Sequence, residues 1–190
     1  LIVYMLNLKK ENNQEISLEK LNAKRELLDQ IIETLINFLC IHIKNQINAG
    51  ADVVQIFDSW GGMLDQDYEE FSLQYINELA KSIPSNIPII LYTRGKTIDS
   101  IIESTPISCF NLDISDNIDH HINQSIAIQG NFDPKKFHSD VDELEELATK
   151  IFEKYKTNNN YIFNLGSGIT PDIDPDKVGI FLERLSSLSS

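Results

Sequence analysis

Small polar residues or glycines follow almost every short apolar run that this sequence predicts to be a β-strand. Asp58-Ser59 follows the first run, Thr93-Arg94 the second, Asp113 the third, Gln129-Gly130-Asn131 the fourth and Leu165-Gly166-Ser167-Gly168 the last. The carboxyl ends of parallel strands share one edge of a sheet, so these side chains are expected to lie near one another. They are therefore candidates for catalytic or ligand-binding groups. A carboxylate there can act as a general base, and a hydroxyl or guanidinium can hold an anion.

Most of these residue types also have ordinary structural roles. Asp113 fits a general base, but a strand-terminal Asp often caps the following loop or helix, and we interpret it as structural. Ser59 within Asp-Ser-Trp-Gly-Gly is, on pattern alone, typical of a turn residue that bonds its own backbone. The residues alone therefore do not select a catalytic group.

No metal site is predicted from the histidines and cysteines. His120 and His121 are adjacent, and adjacent helical residues face different ways, so we expect a solvated surface pair. Cys40 lies in a helical pattern and Cys109 in a strand-like run, which is neither a metal-binding nor a redox spacing. We expect both thiols to be buried.

The composition is that of a globular domain. The 190 residues are 42% hydrophobic and 24% charged, and 16 basic against 29 acidic side chains give a net charge of −13 without a basic cluster. That charge counts against a nucleic-acid partner. No signal-peptide pattern and no apolar run of ~20 residues occur, so we expect a cytoplasmic location and no membrane partner.

The elements that position these groups are predicted by periodicity. Apolar spacings of three, four and seven predict helix from Leu18 to Asn48, with Ser17 as N-cap, Ala49-Gly50 as its end and a break between Asn22 and Arg25. A capping pair, Asp67 with Glu70, predicts the next helix start.

The remainder alternates strands with helices. The predicted strands are short and apolar, and they span Asp52 to Phe57, Pro88 to Tyr92, Ser108 to Leu112, Ser125 to Ile128 and Tyr161 to Asn164. The helices between and after them include one holding Ile98, Ile101 and Ile102, one opening at Ser139 and one opening at Asp174-Pro175.

Successive strand–helix units predict an α/β fold with a parallel sheet covered on both faces. The polar strand ends favour a (β/α)8 barrel of the TIM type over a doubly wound sheet. About five units cannot close an eight-stranded barrel, so residues 1–190 are expected to be one domain holding about the last five units of an incomplete barrel.

Three long strings at the strand ends carry a resemblance to a known family. The run Ala49 to Gly62 resembles the fourth-strand signature of the uroporphyrinogen decarboxylase family. The runs Ala127 to Pro134 and Ile162 to Ile169 resemble its seventh and eighth strands, Asn111-Leu112-Asp113 fits the sixth, and Val3 to Leu6 resembles the helix start after the third. The resemblance covers essentially the whole chain.

The resemblance implies a cofactor-free barrel that removes carbon dioxide from the four acetate side chains of uroporphyrinogen, giving coproporphyrinogen for haem biosynthesis. Loss of carbon dioxide leaves electrons on the methylene carbon. The pyrrole must therefore be protonated into an electron sink, and polar groups must match the developing charge.

The resemblance also implies roles for four residues. Tyr4 would donate a hydrogen bond at or near the reacting acetate, and Ser59 would contact a substrate carboxylate. Phe57 would line the floor beneath the macrocycle, and Arg94 would serve as a cation for the substrate carboxylates. Without the resemblance, Tyr4 and Phe57 would be interpreted as rim or core aromatics and Arg94 as an ion-pair residue.

Two departures from the family pattern count against independent activity. The arginine-rich first-strand loop and the second-strand aspartate belong to a half that this chain lacks. Ser167 occupies the position of the family's eighth-strand histidine, and a hydroxyl hydrogen-bonds a carboxylate but does not titrate near neutrality. We therefore predict binding at Ser167 and an incomplete or inactive chain on its own.

Two alternatives stay open. One is a degenerate, non-enzymatic remnant that binds a tetrapyrrole, and the other, ranked lower, is a zinc or corrinoid methyltransferase of the same barrel type, for which strand-end thiolate and imidazole ligands are missing. By resemblance, a homodimer is expected.

Overall fold

The computed structural model describes residues 2–8, 16–95, 105–122 and 126–189. The described residues divide into two compact units, 1–110 and 111–190. Among these residues, two strands lie in the first unit and two in the second, and a fifth strand lies at the boundary between the two ranges. The predicted α/β class with parallel strands is confirmed.

The first unit begins with three helices. They are α1 (Ile2–Met5), α2 (Leu18–Ala23) and α3 (Arg25–Asn48). The Ser17 hydroxyl accepts a hydrogen bond from the Lys20 N–H at 3.3 Å, so Ser17 caps α2 as predicted. The predicted break lies at Lys24. Helix α3 ends at Asn48, with Ala49 as its C-cap, and the φ of 103° at Gly50 that follows suits glycine.

Two parallel strands follow in this unit, β1 (Val54–Asp58) and β2 (Ile89–Thr93). Their register places Phe57 opposite Tyr92 and Asp58 opposite Thr93, so the two strands end at the same level. The Ser108 N–H donates to the Ile89 carbonyl at 3.0 Å, immediately before β3 (Cys109–Asn111).

The connection from β1 to β2 differs from the prediction. It forms a 3-10 helix (Gly61–Asp67), a π-helix (Glu69–Leu73) and then α4 (Gln74–Lys81). The prediction that Asp67 with Glu70 caps this helix is wrong, because Tyr68 stands at the N-cap position and no side chain caps it there. The predicted helix holding Ile98, Ile101 and Ile102 lies outside the described residues.

The second unit contains α5 (Ile118–His121), β4 (Ala127–Gln129), a 3-10 helix (Pro134–His138), α6 (Val141–Tyr155), β5 (Tyr161–Ile162) and α7 (Pro175–Leu188). Strands β4 and β5 are parallel, with Ile128 opposite Tyr161. Asp174 caps α7 with Pro175 in its first turn, as predicted. The predicted cap of α6 at Ser139 is wrong, because the Asp140 carboxylate accepts from the Glu143 N–H at 2.9 Å.

Four phenylalanine rings form the centre of the core of the second unit. Phe132 and Phe181 lie 4.8 Å apart between ring centroids, and Phe137 and Phe163 each contact Phe181, at 5.5 and 5.6 Å. Leu144 and Ala148 of α6 are fully buried against them. Close contacts between aromatic rings stabilise the fold beyond what the burial of their surface area contributes.

Candidate functional site

A cavity of about 590 Å³ runs beside β1 in the first unit. Its wall is mostly apolar and includes side chains of α3, α4 and β1. Three residues predicted to form the site, Tyr4, Phe57 and Ser59, are among those that line it. A mostly apolar cavity with a few polar groups at its edge is the usual form of a small-molecule site.

The two aromatic residues that were predicted to form the site are exposed. Tyr4 retains 60% and Phe57 69% of their accessible surface, so the interpretation of either as a core residue is wrong. The Phe57 ring meets the Tyr92 ring at a centroid distance of 6.1 Å, across the β1–β2 pairing. The Phe57 and Tyr92 rings at these two strand ends are available to contact a flat, apolar ligand.

Arg94 does not line the cavity, but the strand register places it at the level of the site. Asp58 and Thr93 are opposite one another at the last paired position, and Ser59 and Arg94 follow them. Both side chains are exposed. A hydroxyl and a guanidinium at adjacent strand ends suit an anionic group such as a carboxylate.

The carboxyl group of Asp58 anchors the turn that carries Ser59, a role that the sequence pattern did not predict. Its Oδ1 accepts from the Gly61 N–H at 3.1 Å and its Oδ2 from the Ser72 hydroxyl at 2.6 Å. The Tyr68 ring lies beside the same turn. Burial raises the pKa of Asp58, and the hydrogen bonds from Ser72 and Gly61 offset part of that effect.

Ser167 lies in the second unit and is half-buried in the loop after β5. The preceding Gly166 donates its N–H to the Phe132 carbonyl at 3.0 Å. A Cβ at Gly166 would lie 2.6 Å from the Ile114 backbone nitrogen, so only glycine fits there. The backbone entering Ser167 is therefore closely held.

Three neutral amide side chains from successive strand ends form a hydrogen-bonded cluster in the second unit. The Asn111 Oδ1 accepts from Gln129 Nε2 at 2.6 Å and from Asn164 Nδ2 at 2.9 Å. The Asn164 Oδ1 in turn accepts from the Leu165 N–H at 2.8 Å. Sequence reasoning missed this cluster, although all three residues stand in the strings that carry the family resemblance.

Asp113 has the structural role predicted for it. Its Oδ1 accepts from the N–H and the hydroxyl of Ser115, at 3.2 and 3.0 Å, which closes a local turn. The Asn131 amide donates to the carbonyls of Asp113 and Asp116 at 2.8 and 2.7 Å. These contacts hold the loop after β3.

The histidine and cysteine expectations are partly wrong. His120 is exposed, but His121 is buried with 3% of its surface accessible, since neighbours on α5 face different ways. Cys109 is buried and Cys40 half-buried. Among the described residues, no three His, Cys, Asp or Glu side chains are grouped so as to hold a metal ion, and no helix has the length and apolar character to cross a bilayer.

A family model and curated relatives all match this chain to the same family. The family model described as uroporphyrinogen decarboxylase (URO-D) matches residues 1–188. A uroporphyrinogen decarboxylase of Hydrogenovibrio crunogenus is 36% identical over 85% of this chain and 49% of its own length. That of Pseudoalteromonas translucida is 35% identical over 86% and 48%. The chain thus spans about half the length of these curated relatives.

A solved structure of a methyltransferase from Methanosarcina mazei is similar in fold. It matches with a TM-score of 0.70 and 17% identity, over 92% of this chain and 55% of that chain. At this identity the likeness concerns the fold alone. It agrees with the prediction of a partial parallel α/β barrel of the TIM type.

Proposed function

Because the chain belongs to the uroporphyrinogen decarboxylase family, we propose that residues 1–190 act as the C-terminal part of a barrel that decarboxylates the acetate side chains of uroporphyrinogen. The observation that carries the proposal is the shared cavity beside β1, which Tyr4, Phe57 and Ser59 line together. Its apolar wall suits a macrocycle and its polar edge suits an acetate.

Each of these groups has a part in the proposed chemistry. The Tyr4 hydroxyl donates a hydrogen bond toward the acetate that loses carbon dioxide. The Ser59 hydroxyl and the Arg94 guanidinium hold neighbouring carboxylates, and the exposed Phe57 ring supports the macrocycle. Groups fixed in advance where charge develops lower the barrier without reorganisation.

The chain needs further groups to complete this reaction. A substrate with many carboxylates approaches a chain of net charge −13, so local cations must offset the repulsion. We propose that the barrel part missing here, with the family's arginine-rich loop and second-strand aspartate, supplies these cations and the pyrrole contacts. Activity then requires both parts, in a cytoplasmic homodimer.

The test mixes this chain with a first-half polypeptide of a relative and follows coproporphyrinogen formation. We expect activity only in the mixture, and Tyr4→Phe or Ser59→Ala should lower it by roughly 10²-fold each. Asp52→Asn, at an exposed position before β1, serves as the control variant. Absence of activity at every ratio of the two parts would contradict the proposal.

A second candidate function is tetrapyrrole binding without turnover. The observation that favours it is Ser167, a hydroxyl at the position where the family resemblance expects a histidine. Uroporphyrin binding by the chain, with no product formed in the mixture, would favour this function. Restored turnover in Ser167→His would instead show that the missing imidazole limits the reaction.

A further inference from the structure

The Asp58 carboxyl is the meeting point of three segments of the first unit. It terminates β1, and it accepts hydrogen bonds from Gly61 in the following turn and from Ser72 in the π-helix. These partners lie 3 and 14 residues away along the chain. A carboxylate with several donors is held more firmly than one with a single partner.

The backbone of the turn packs closely against the Asp58 carboxyl. A Cβ at Gly61 would lie 1.7 Å from the Asp58 Oδ2 and 2.6 Å from the Tyr68 ring. Only a residue without a side chain fits this space. The path of the turn and the position of the carboxyl are therefore mutually dependent.

The two residues between Asp58 and Gly61 point toward the cavity. Ser59 is exposed, and both Ser59 and Trp60 line the cavity. The Trp60 ring meets the Tyr4 ring edge-on at 5.8 Å. Ser59 and Tyr4 are the two residues whose hydroxyl groups act in the proposed reaction. Ser59 is part of the turn, and Tyr4 contacts the turn through the Trp60 ring.

We infer that Asp58 is a positioning residue, whose carboxyl fixes the Ser59–Trp60 turn and thereby places Ser59 and Tyr4 at the cavity. Its importance for turnover rests on the proposed function. Its effect on the turn does not, because the turn carries its own spectroscopic probe. Trp60 is the only tryptophan of the chain.

The experiment measures acrylamide quenching and the emission maximum of Trp60 in the full chain. In Asp58→Asn an amide nitrogen replaces one acceptor oxygen, so the hydrogen bond from either Ser72 or Gly61 is lost. We expect the quenching constant to rise at least about twofold and the emission to shift to longer wavelength. Asp52→Asn, six residues earlier and exposed, should leave both unchanged.

A milder variant keeps the inference testable if Asp58→Asn does not fold. Ser72→Ala removes the donor at 2.6 Å and leaves the carboxyl in place, and we expect a smaller change in the same direction. Far-UV circular dichroism identifies the folded variants. If Trp60 quenching and emission are unchanged in every folded variant of this pair, the inference is wrong.

Binding separates this inference from the proposed function. Quenching of Trp60 by uroporphyrin should be weaker in Asp58→Asn than in the parent chain at equal ligand concentration, if the turn presents the site. One outcome distinguishes the two ideas. If Trp60 quenching changes in Asp58→Asn but the parent chain binds no uroporphyrin, the positioning role of Asp58 is supported and the proposed decarboxylase function is contradicted.

Discussion

The rings of Tyr4 and Trp60 lie edge to face, with centroids 5.8 Å apart and planes inclined at 82°. This contact joins the first helix to the turn after β1, two segments separated by more than 50 residues of sequence. Edge-to-face packing requires an aromatic ring at both positions. The contact therefore responds to the ring at position 4 and not to its hydroxyl.

Replacement of Tyr4 by Phe or by Leu should separate these two properties. Tyr4→Phe keeps the ring, and we expect unchanged stability and unchanged Trp60 emission. Tyr4→Leu loses the ring pair and should lower the free energy of unfolding by roughly 0.5–1.5 kcal/mol relative to Tyr4→Phe. Urea denaturation followed by circular dichroism measures this difference, and equal stability of the two variants would contradict the assignment.

Asn111→Ala should destabilise the second unit. The side chains of Gln129 and Asn164 both donate to the Asn111 Oδ1, and Gln129 is buried. Donors left without an acceptor cost about 1–3 kcal/mol each when buried. Chemical denaturation checks this, with Asn159→Ala at an exposed position as control. A loss no greater than that of the control would argue against the cluster.

Two glycines of the second unit should respond to alanine in opposite directions. At Gly166 a Cβ meets the Ile114 backbone, so Gly166→Ala should cost about 1–3 kcal/mol. At Gly179, within α7, nothing lies within 4 Å. Gly179→Ala should stabilise by roughly 0.5–1 kcal/mol, because alanine loses less backbone freedom in a helix. Thermal unfolding of both variants tests the pair, and the same sign for both would refute it.

The two cysteines should differ in reactivity. Burial raises the pKa of Cys109 to about 12, whereas Cys40 is half-buried with its sulfur 3.0 Å from the Ser82 hydroxyl. At pH 8 a thiol of that pKa is only about 10⁻⁴ ionised, and the thiolate is the reactive form. With a disulfide reagent we expect Cys40 to react first and Cys109 only on unfolding. Equal rates at both sites in the folded chain would contradict this.

The pH dependence of stability should change on replacement of Asp58 by Asn. Since burial raises the pKa of Asp58, the folded chain takes up a proton there at a higher pH than the unfolded chain does. The Asp58 contribution to stability therefore increases as pH falls through the folded-state pKa. The difference in unfolding free energy, parent chain minus Asp58→Asn, should rise as pH decreases from about 7 to about 4. If this difference in unfolding free energy stays constant or falls as pH decreases, the raised pKa of Asp58 is contradicted.

Sequence periodicity predicted the alternation of strands and helices because the spacing of apolar residues is a local property. The start of α2 after its cap Ser17 and the end of α3 before Ala49-Gly50 follow from local capping chemistry as well. Local chemistry does not separate Ser139 from Asp140, since both are good caps, and only the side-chain contact to Glu143 selects Asp140.

The site was harder to predict, because its geometry depends on register and on side-chain direction. The amide cluster of Asn111, Gln129 and Asn164 exists only when three strand ends are brought level. The Asp58 network depends on a 3-10 and π-helical path that places Tyr68 and Ser72 beside the carboxyl. No pattern of apolar residues encodes that path.

The phenylalanine core of the second unit also sets an order of events during synthesis. The Phe132 and Phe181 rings pack against one another, with their planes inclined at 40°, although 49 residues separate them in sequence. A nascent chain cannot assemble this core until Phe181 has left the ribosome, so the core of the second unit forms only after all the strands of that unit have been synthesised. Until then, the apolar surfaces of Phe132 and Phe137 remain substrates for chaperones.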